Sequence, residues 1–251
     1  MTIWALFDSG NGCYFKNANE MGLECLSFGI DIENKNSHFI ELDLSNFSRL
    51  FGNDELFTVL DKYKKPDLII SSPPCESWSV ASAMSGGGNA CWKTIFSDTI
   101  FGQLPITDFA IRKKTEYENQ QFIFERQFIK RINGELCAFN LTEIIKKYQP
   151  KYWVIENPAT SNIWNYISKV LNFNLPYKNK TYYSDYGFSY KKPTIFASNI
   201  FLNLSKQGKA PKISWDKVRG YNNRSNIPDE LIKQIYRKVI EEEKRRNEKI
   251  L

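Results

Sequence analysis

The sequence predicts an α/β domain built on a buried parallel sheet. Short, almost continuously apolar runs alternate with helical stretches along the first half of the chain, and polar residues gather directly after each run. Runs of this kind are typical of strands that are covered on both faces. With 251 residues, of which 42% are hydrophobic, the chain has enough apolar material for such a core, so we expect a single domain over residues 1–251.

Five strands are predicted, followed at the end of the chain by a long helix. The strands are expected at Ile3–Phe7, Leu23–Ile30, Phe39–Leu42, Leu68–Ser71 and Tyr152–Ile155. Because ligands bind at the carboxyl edge of an open parallel sheet, the polar residues after these runs form the candidate site. The helix is expected after Pro228, since Leu231, Ile235 and Val239 recur at helical spacing.

The stretch from residue 79 to residue 135 interrupts this alternation. Its first part, which contains Gly86–Gly88, is predicted to be a mobile loop, and its second part a helix. Two hypotheses stay open for its basic residues Arg112, Lys113 and Lys114. Either they bind nucleic acid, or the whole stretch is a structural cap on the domain.

Composition and charge narrow the class of protein. The chain has no apolar run near the roughly 18 residues of a membrane-spanning helix, and the pattern of its first residues leads us to expect no secretory signal. Five cysteines without a CxxC pair indicate free thiols in the cytoplasm, with neither disulfides nor a metal site. Residues 1–60 carry 3 Lys and Arg against 9 Asp and Glu, whereas residues 200–251 carry 13 against 7. The basic rear half suits a polyanion, or is simply a solvated surface.

The ends of the first three strands suit a ligand that contains adenosine. The loop Phe7–Gly12 places glycines directly after a strand, where the backbone can pass close to a ligand. Asp31 follows the second strand, at a position where an acidic residue commonly hydrogen-bonds ribose hydroxyls, and Asp43 follows the third. Each aspartate alone is more often a cap or turn residue, but the three strand ends together favour an adenosine-containing cofactor.

The last two predicted strand ends carry reactive groups. Cys75 follows Pro73 and Pro74, which stiffen the chain and fix the direction of the next side chain, so this thiol is a candidate nucleophile. Glu156 stands beside Asn157 and is a candidate proton donor if it is partly buried. In isolation, the cysteine is more often a small buried hydrophobe and the glutamate part of a helix cap.

Taken in order, these motifs resemble those of the cytosine-5 DNA methyltransferase family. Phe7–Gly12 is similar to the family's F-x-G-x-G loop, Ser72–Cys75 to its P-C motif and Glu156–Asn157 to its E-N motif. Tyr186–Thr194 aligns with the stretch that carries Q-x-R-x-R, and Ser225–Pro228 resembles the closing N-x-V-P segment. The resemblance implies a Rossmann-like class I methyltransferase fold that binds S-adenosyl-L-methionine. Its sheet would be mixed and mostly parallel, with helices on both faces.

The resemblance also implies a chemistry. Cys75 would add to carbon 6 of a flipped-out cytosine, Glu156 would hydrogen-bond ring nitrogen 3, and Asn157 would hold the adjoining loop. The residues implied for the cofactor are Phe7, Ser9, Gly10, Gly12, Asp31, Ile32, Asp43, Leu44, Pro73 and Ser225. Those expected to contact nucleic acid are Ser77, Ser79, Lys192, Thr194, Arg112, Lys113 and Lys114.

The chain departs from the family where nucleic acid is read. Lys192 and Thr194 stand where Q-x-R-x-R has its arginines, so the bidentate guanidinium fork is lost. The segment 199–226 is a reduced recognition region, whereas the span from Cys75 to Glu156 is longer than the family leads us to expect. Recognition of the DNA sequence would therefore depend partly on Gly86–Arg131, be relaxed, or be supplied by a partner.

The leading prediction is a DNA cytosine-5 methyltransferase of a phage or restriction-modification setting, acting as a monomer on duplex DNA. Three alternatives stay open. The same chemistry on RNA, such as tRNA, is the nearest of them. A non-catalytic nucleic-acid-binding or inhibitor protein on this scaffold needs neither Cys75 nor Glu156. A nucleotide-level enzyme of the thymidylate-synthase type is disfavoured by the cofactor loop and by the alternation of strands and helices.

Overall fold

The computed structural model describes residues 1–8, 12–30, 36–84, 88–97, 106–117, 122–214 and 217–248. Within these ranges the strands are β1 (Thr2–Leu6), β2 (Glu24–Gly29), β3 (Phe39–Glu41), β4 (Leu68–Ser71), β5 (Trp92–Ser97), β6 (Ile106–Ile111), β7 (Tyr152–Pro158), β8 (Tyr177–Tyr182) and β9 (Pro193–Ser198). The helices are α1 (Cys13–Glu20), α2 (Glu55–Leu60), α3 (Phe124–Tyr148), α4 (Ile163–Asn165), α5 (Tyr221–Ser225) and α6 (Asp229–Glu248). A π-helical turn, Tyr166–Val170, continues α4.

Seven of the strands form one sheet in the order β3-β2-β1-β4-β7-β9-β8. The first five of this order are parallel, whereas β9 runs antiparallel to both of its neighbours. The strand order reverses between β1 and β4, which is the place where open α/β sheets bind ligands. This mixed, mostly parallel sheet confirms the predicted Rossmann-like α/β fold class.

Helices cover both faces of the sheet, as predicted. Successive side chains of a strand point to opposite faces, so Trp4 and Leu6 of β1 pack towards α2 and α3, while Ile3 and Ala5 pack towards α1 and α6. All four side chains are completely buried. Coverage on both faces is why the predicted strands are apolar along their whole length.

The five predicted strands are present, with ends displaced by a few residues, and α6 confirms the predicted final helix. Strands β8 and β9 were not predicted. Along β8, exposed Lys178 and Lys180 alternate with buried Asn179 and Thr181, because β8 lies at the edge of the sheet. A strand with no apolar run gives no signal of the kind that marked the other strands.

The expectation of a loop in the first part of the stretch from residue 79 to residue 135 needs correction, because β5 and β6 pair there as an antiparallel hairpin. The Trp92 ring at the base of the hairpin stacks on the Trp78 ring, with centroids 5.3 Å apart, and both side chains are buried. Gly86 and Gly87, where mobility was predicted, lie outside the described residues. The predicted helix in the second part of the stretch is the start of α3.

The segment 199–226 contributes to the core in spite of its irregular path. Leu202, Leu204 and Val218 are buried in the apolar cluster that α6 also enters. The segment therefore helps to cover one face of the sheet. Among the helices of the described ranges, none is both long and apolar enough to cross a membrane.

Candidate active site

A cavity of about 360 Å³ lies at the ends of β1, β4 and β7. Phe7, Cys75, Glu156 and Lys192 are among the residues that line it. These four residues come from segments far apart in the sequence, and the parallel sheet brings them to one edge. The cavity therefore joins the predicted nucleophile, the predicted proton donor and a cationic side chain.

A second cavity, of about 310 Å³, lies beside the first. Asp43 and Leu44 line it, and Phe7, Ser72 and Pro74 line both cavities. The two cavities are therefore adjacent along the carboxyl edge of the sheet. A ligand in the second cavity would extend towards Cys75 past these three shared residues.

Cys75 sits at the start of a tight turn. Its carbonyl oxygen accepts hydrogen bonds from the backbone N–H groups of Trp78, at 3.1 Å, and Ser79, at 2.8 Å. Burial raises the pKa of the Cys75 thiol above its usual range, the charge of Lys192 acts to lower it, and the carboxylate of Glu156 adds to the rise. Lys192 is thus a charged group in the cavity that favours the thiolate.

Glu156 and Asn157 lie side by side on β7, where both are buried. The Tyr183 hydroxyl donates to Oε1 of Glu156 at 3.1 Å. The Asn157 side chain points to the other side of the strand and donates from Nδ2 to the carbonyl oxygen of Pro73 at 2.9 Å. Asn157 therefore ties β7 to the segment that presents Cys75.

The chain bends sharply after β1. Phe7 has a φ of 59°, in the left-handed region that bulky residues rarely occupy, and its N–H donates to the carbonyl oxygen of Phe28. Asp8 is buried and accepts from the N–H groups of Tyr14 and Phe15 at the start of α1. These bonds hold the Phe7 ring at the boundary of the two cavities. A strained backbone conformation such as that of Phe7 is often found at functional sites.

The residues predicted to hold the cofactor are divided between the two cavities and other positions. Asp43 and Leu44 line the second cavity, Pro73 and Ser225 line the first, and Phe7 lines both. Gly12 begins α1 in a left-handed conformation. The remaining four, Ser9, Gly10, Asp31 and Ile32, lie outside the described residues.

Asp43 is exposed at the second cavity and held by its own turn. Its Oδ1 accepts from the Ser45 N–H at 2.8 Å and from the Ser45 hydroxyl at 2.7 Å. The lining of this cavity combines that carboxylate with the apolar side chains of Ile30, Leu42 and Leu44. A partly apolar cavity with a carboxylate acceptor could hold a purine that carries an amino group.

The residues predicted to contact nucleic acid are spread over three environments. Ser79 and Lys192 line the first cavity, and Lys113 and Lys114 lie on the exposed surface. The other three, Ser77, Thr194 and Arg112, are buried, with 2%, 0% and 5% of their surface exposed. Arg112 donates from Nε to the carbonyl oxygen of Asn89 at 2.7 Å, which places its guanidinium inside the fold.

Several site residues gave no signal in the sequence. Tyr183 is one tyrosine in an aromatic-rich stretch, and the ion pair between Lys130 and Glu76, 3.0 Å apart at the first cavity, joins residues distant in the chain. Gly134 did offer a signal, as a glycine inside a helix. A Cβ atom there would lie 2.2 Å from Oγ of Ser77, so its absence lets α3 approach the turn that follows Cys75.

Solved structures similar to the chain include two methyltransferases. The first, a prophage-encoded E. coli protein assigned as a DNA modification methyltransferase, is 17% identical with a TM-score of 0.44, and the match covers 79% of this chain and 46% of that one. The second, a triple mutant of DNMT2 from Spodoptera frugiperda, is 13% identical with a TM-score of 0.38, over 90% of this chain and 57% of that one. This chain thus spans about half the length of either structure.

No protein-family model matches the chain, and no curated protein matches it. The fold assignment rests on the strand order of the chain itself. Fold and site together define a Rossmann-like α/β protein in which a cavity lined by Asp43 and apolar side chains adjoins one lined by a cysteine and a buried glutamate.

Proposed function

We propose that the chain transfers a methyl group from S-adenosyl-L-methionine to carbon 5 of cytosine in DNA, through a covalent bond between Cys75 and carbon 6. One observation carries the proposal. Cys75 and the buried Glu156 line the same cavity, and that cavity adjoins a second one lined by Asp43 and several apolar side chains. Covalent catalysis on a pyrimidine needs both a nucleophile and a group that manages charge on the ring.

The residues present fit the proposed cofactor. In the second cavity, Asp43 would accept from the amino group of adenine, while Phe7 and Leu44 would supply apolar contact. When bound, S-adenosyl-L-methionine supplies an electrophilic methyl group on a sulfonium. Because Phe7, Ser72 and Pro74 line both cavities, they would mark the passage between the nucleoside and the reacting cytosine.

Cys75 would make carbon 5 reactive. Its thiolate adds to carbon 6 of the cytosine, and the ring becomes an enamine whose carbon 5 is a nucleophile. Lys192 favours the thiolate, in opposition to the effect of burial on the thiol pKa. After methylation, nitrogen 3 returns its proton to Glu156, a water molecule acting as base takes the proton from carbon 5, and elimination of the thiolate restores the aromatic ring.

Glu156 would control charge on the ring during the addition. A proton donated from its carboxyl group to ring nitrogen 3 prevents negative charge from accumulating as the sulfur–carbon bond forms. Asn157 would preserve the geometry, because its bond to the Pro73 carbonyl oxygen joins β7 to the loop of Cys75. Since Glu156 is buried, a base stacked in a duplex must be flipped out to reach it.

A mechanism-based trap tests this proposal. DNA that contains 5-fluorocytosine carries no removable proton at carbon 5, so the enzyme and DNA should remain covalently joined in the presence of S-adenosyl-L-methionine. We expect a denaturation-resistant adduct with the wild-type chain and none with Cys75→Ser. Cys13 lines the same cavity, so Cys13→Ser is a matched control that should retain the adduct.

The same trap separates the alternatives. An adduct with fluorinated RNA and none with DNA would replace DNA by RNA as the substrate and leave the chemistry intact. A chain that binds S-adenosyl-L-methionine and nucleic acid yet forms no adduct with either would be a binding protein on this scaffold. An adduct that survives Cys75→Ser would contradict the proposed nucleophile.

A further inference from the structure

Tyr183 is a buried hydroxyl group beside the proposed proton donor. Its side chain has no exposed surface, and its hydroxyl donates to Oε1 of Glu156 at 3.1 Å. It lies in a short 3₁₀ turn, Tyr183–Tyr186, directly after β8, and belongs to none of the motifs by which the sequence resembles a family. Those motifs therefore do not account for the hydrogen bond between Tyr183 and Glu156.

The surroundings of Tyr183 keep its hydroxyl a donor. Burial and the nearby carboxylate of Glu156 raise the pKa of Tyr183 well above its usual value, so the phenol stays protonated. The Thr194 side chain acts in the opposite direction but has a smaller effect on this pKa. The ammonium group of Lys192 lies 4.9 Å from the centre of the Tyr183 ring, and the hydroxyl faces the carboxyl group of Glu156.

We propose that Tyr183 is a positioning residue that holds Oε1 of Glu156 and leaves Oε2 to face the flipped cytosine. The inference rests on the proposed function. A carboxyl group whose one oxygen already accepts a hydrogen bond carries its proton on the other oxygen. Tyr183 thereby fixes both the rotamer of Glu156 and the oxygen that donates to ring nitrogen 3.

Thr194 is buried near Tyr183. In the aligned motif this position carries an arginine, whereas here a small side chain with no exposed surface donates from Oγ1 to the carbonyl oxygen of Lys192 at 3.4 Å. Because Thr194 lies close enough to influence the pKa of Tyr183, we expect it to support Glu156 indirectly, through Tyr183. This role differs from the contact with nucleic acid that the motif alignment implies for it.

A double-mutant cycle on the rate of adduct formation with 5-fluorocytosine DNA tests the proposal. Tyr183→Phe removes only the hydroxyl, and we expect the rate to fall about tenfold, the equivalent of one buried hydrogen bond. In a Glu156→Ala background no carboxyl group remains to be positioned, so the same substitution should change the rate less than about twofold. Affinity for S-adenosyl-L-methionine should not change in any of these variants.

Two further variants keep the test decisive. Tyr148→Phe also removes a bond between a tyrosine and a carboxylate, that of Tyr148 to Asp61 at 2.7 Å, but away from both cavities, and it should leave the rate unchanged. Thr194→Val, which removes the support behind Tyr183, should lower the rate in the same direction as Tyr183→Phe and by less.

The possible outcomes separate a failure of the proposed function from a failure of the positioning role of Tyr183. No adduct with the wild-type chain would defeat the proposed function and this inference with it. If the wild-type chain forms the adduct, an equal rate with Tyr183→Phe would overturn the positioning role alone. So would a fall of the same size in the wild-type and Glu156→Ala backgrounds, since Tyr183 would then act independently of the carboxyl group.

Discussion

The two cavities differ in how their walls are built. The walls of the first are joined by bonds between distant segments, such as that from Asn157 to Pro73, 84 residues apart in the sequence. In the second, the polar group Asp43 is held by Ser45, two residues further on. Groups that react need fixed mutual geometry, whereas recognition of a nucleoside needs a slot of suitable shape and one acceptor. Substitutions in the first cavity should therefore change rates, and those in the second should change cofactor affinity.

The largest expected effect is that of a substitution at Glu156, in the first cavity. Glu156→Gln keeps the shape of the side chain but removes the acid, so the rate of adduct formation should fall about 100-fold, which is typical for loss of a general acid. Calorimetry should show unchanged affinity for S-adenosyl-L-methionine. Glu135→Gln is the control, because it removes another carboxyl group whose pKa burial raises, and Glu135 lines neither cavity. Equal losses in both variants would contradict the assignment.

The next effect concerns the support of the first cavity. Gly134→Ala would place a Cβ atom 2.2 Å from Oγ of Ser77 and 2.9 Å from Nε1 of the buried Trp78, so α3 or the turn must shift. We expect the free energy of unfolding to fall by about 1–3 kcal/mol in urea titrations, as for other overpacked cores. Ser77→Ala in the same chain should recover part of the loss, and additive losses would show that the two sites do not touch.

A smaller effect concerns the charge beside Cys75. Because the pKa of the thiol is raised by burial and lowered by Lys192, the thiolate fraction and the adduct rate should increase with pH. Lys192→Met removes the lowering influence, so the rising limb should move to higher pH and the rate at neutral pH should fall. Raising the pH should restore the rate. If the rate of adduct formation rises at the same pH in Lys192→Met as in the wild-type chain, Lys192 serves nucleic-acid binding alone.

The smallest effect belongs to the second cavity. Asp43→Asn retains one acceptor oxygen but removes the charge, and we expect affinity for S-adenosyl-L-methionine to fall about threefold. The rate at saturating cofactor should not change. A loss of rate without a loss of affinity would place Asp43 in the chemistry and erase the distinction between the two cavities.

The sequence indicated the parts of this molecule that local pattern determines. Apolar strand runs and the residues directly after them, such as Cys75 and Glu156, were readable because burial on both faces leaves a continuous apolar signal. Strand β8 was missed because its exposed face carries lysines, and the β5–β6 hairpin because its anchor is a tertiary contact between Trp78 and Trp92. Hydrogen-bond partners such as Tyr183 depend on the three-dimensional path of the chain, which no motif encodes.

Identification of the methylated product tests the central claim most directly. The chain is incubated with methyl-labelled S-adenosyl-L-methionine and cytosine-containing duplex DNA, and the digested nucleosides are separated by mass. We predict label in 5-methyl-2′-deoxycytidine, with none from the Cys75→Ser variant. Label on an exocyclic amino group of cytosine or adenine, or a labelled 5-methylcytosine that persists without Cys75, would contradict carbon-5 transfer through a covalent cysteine adduct.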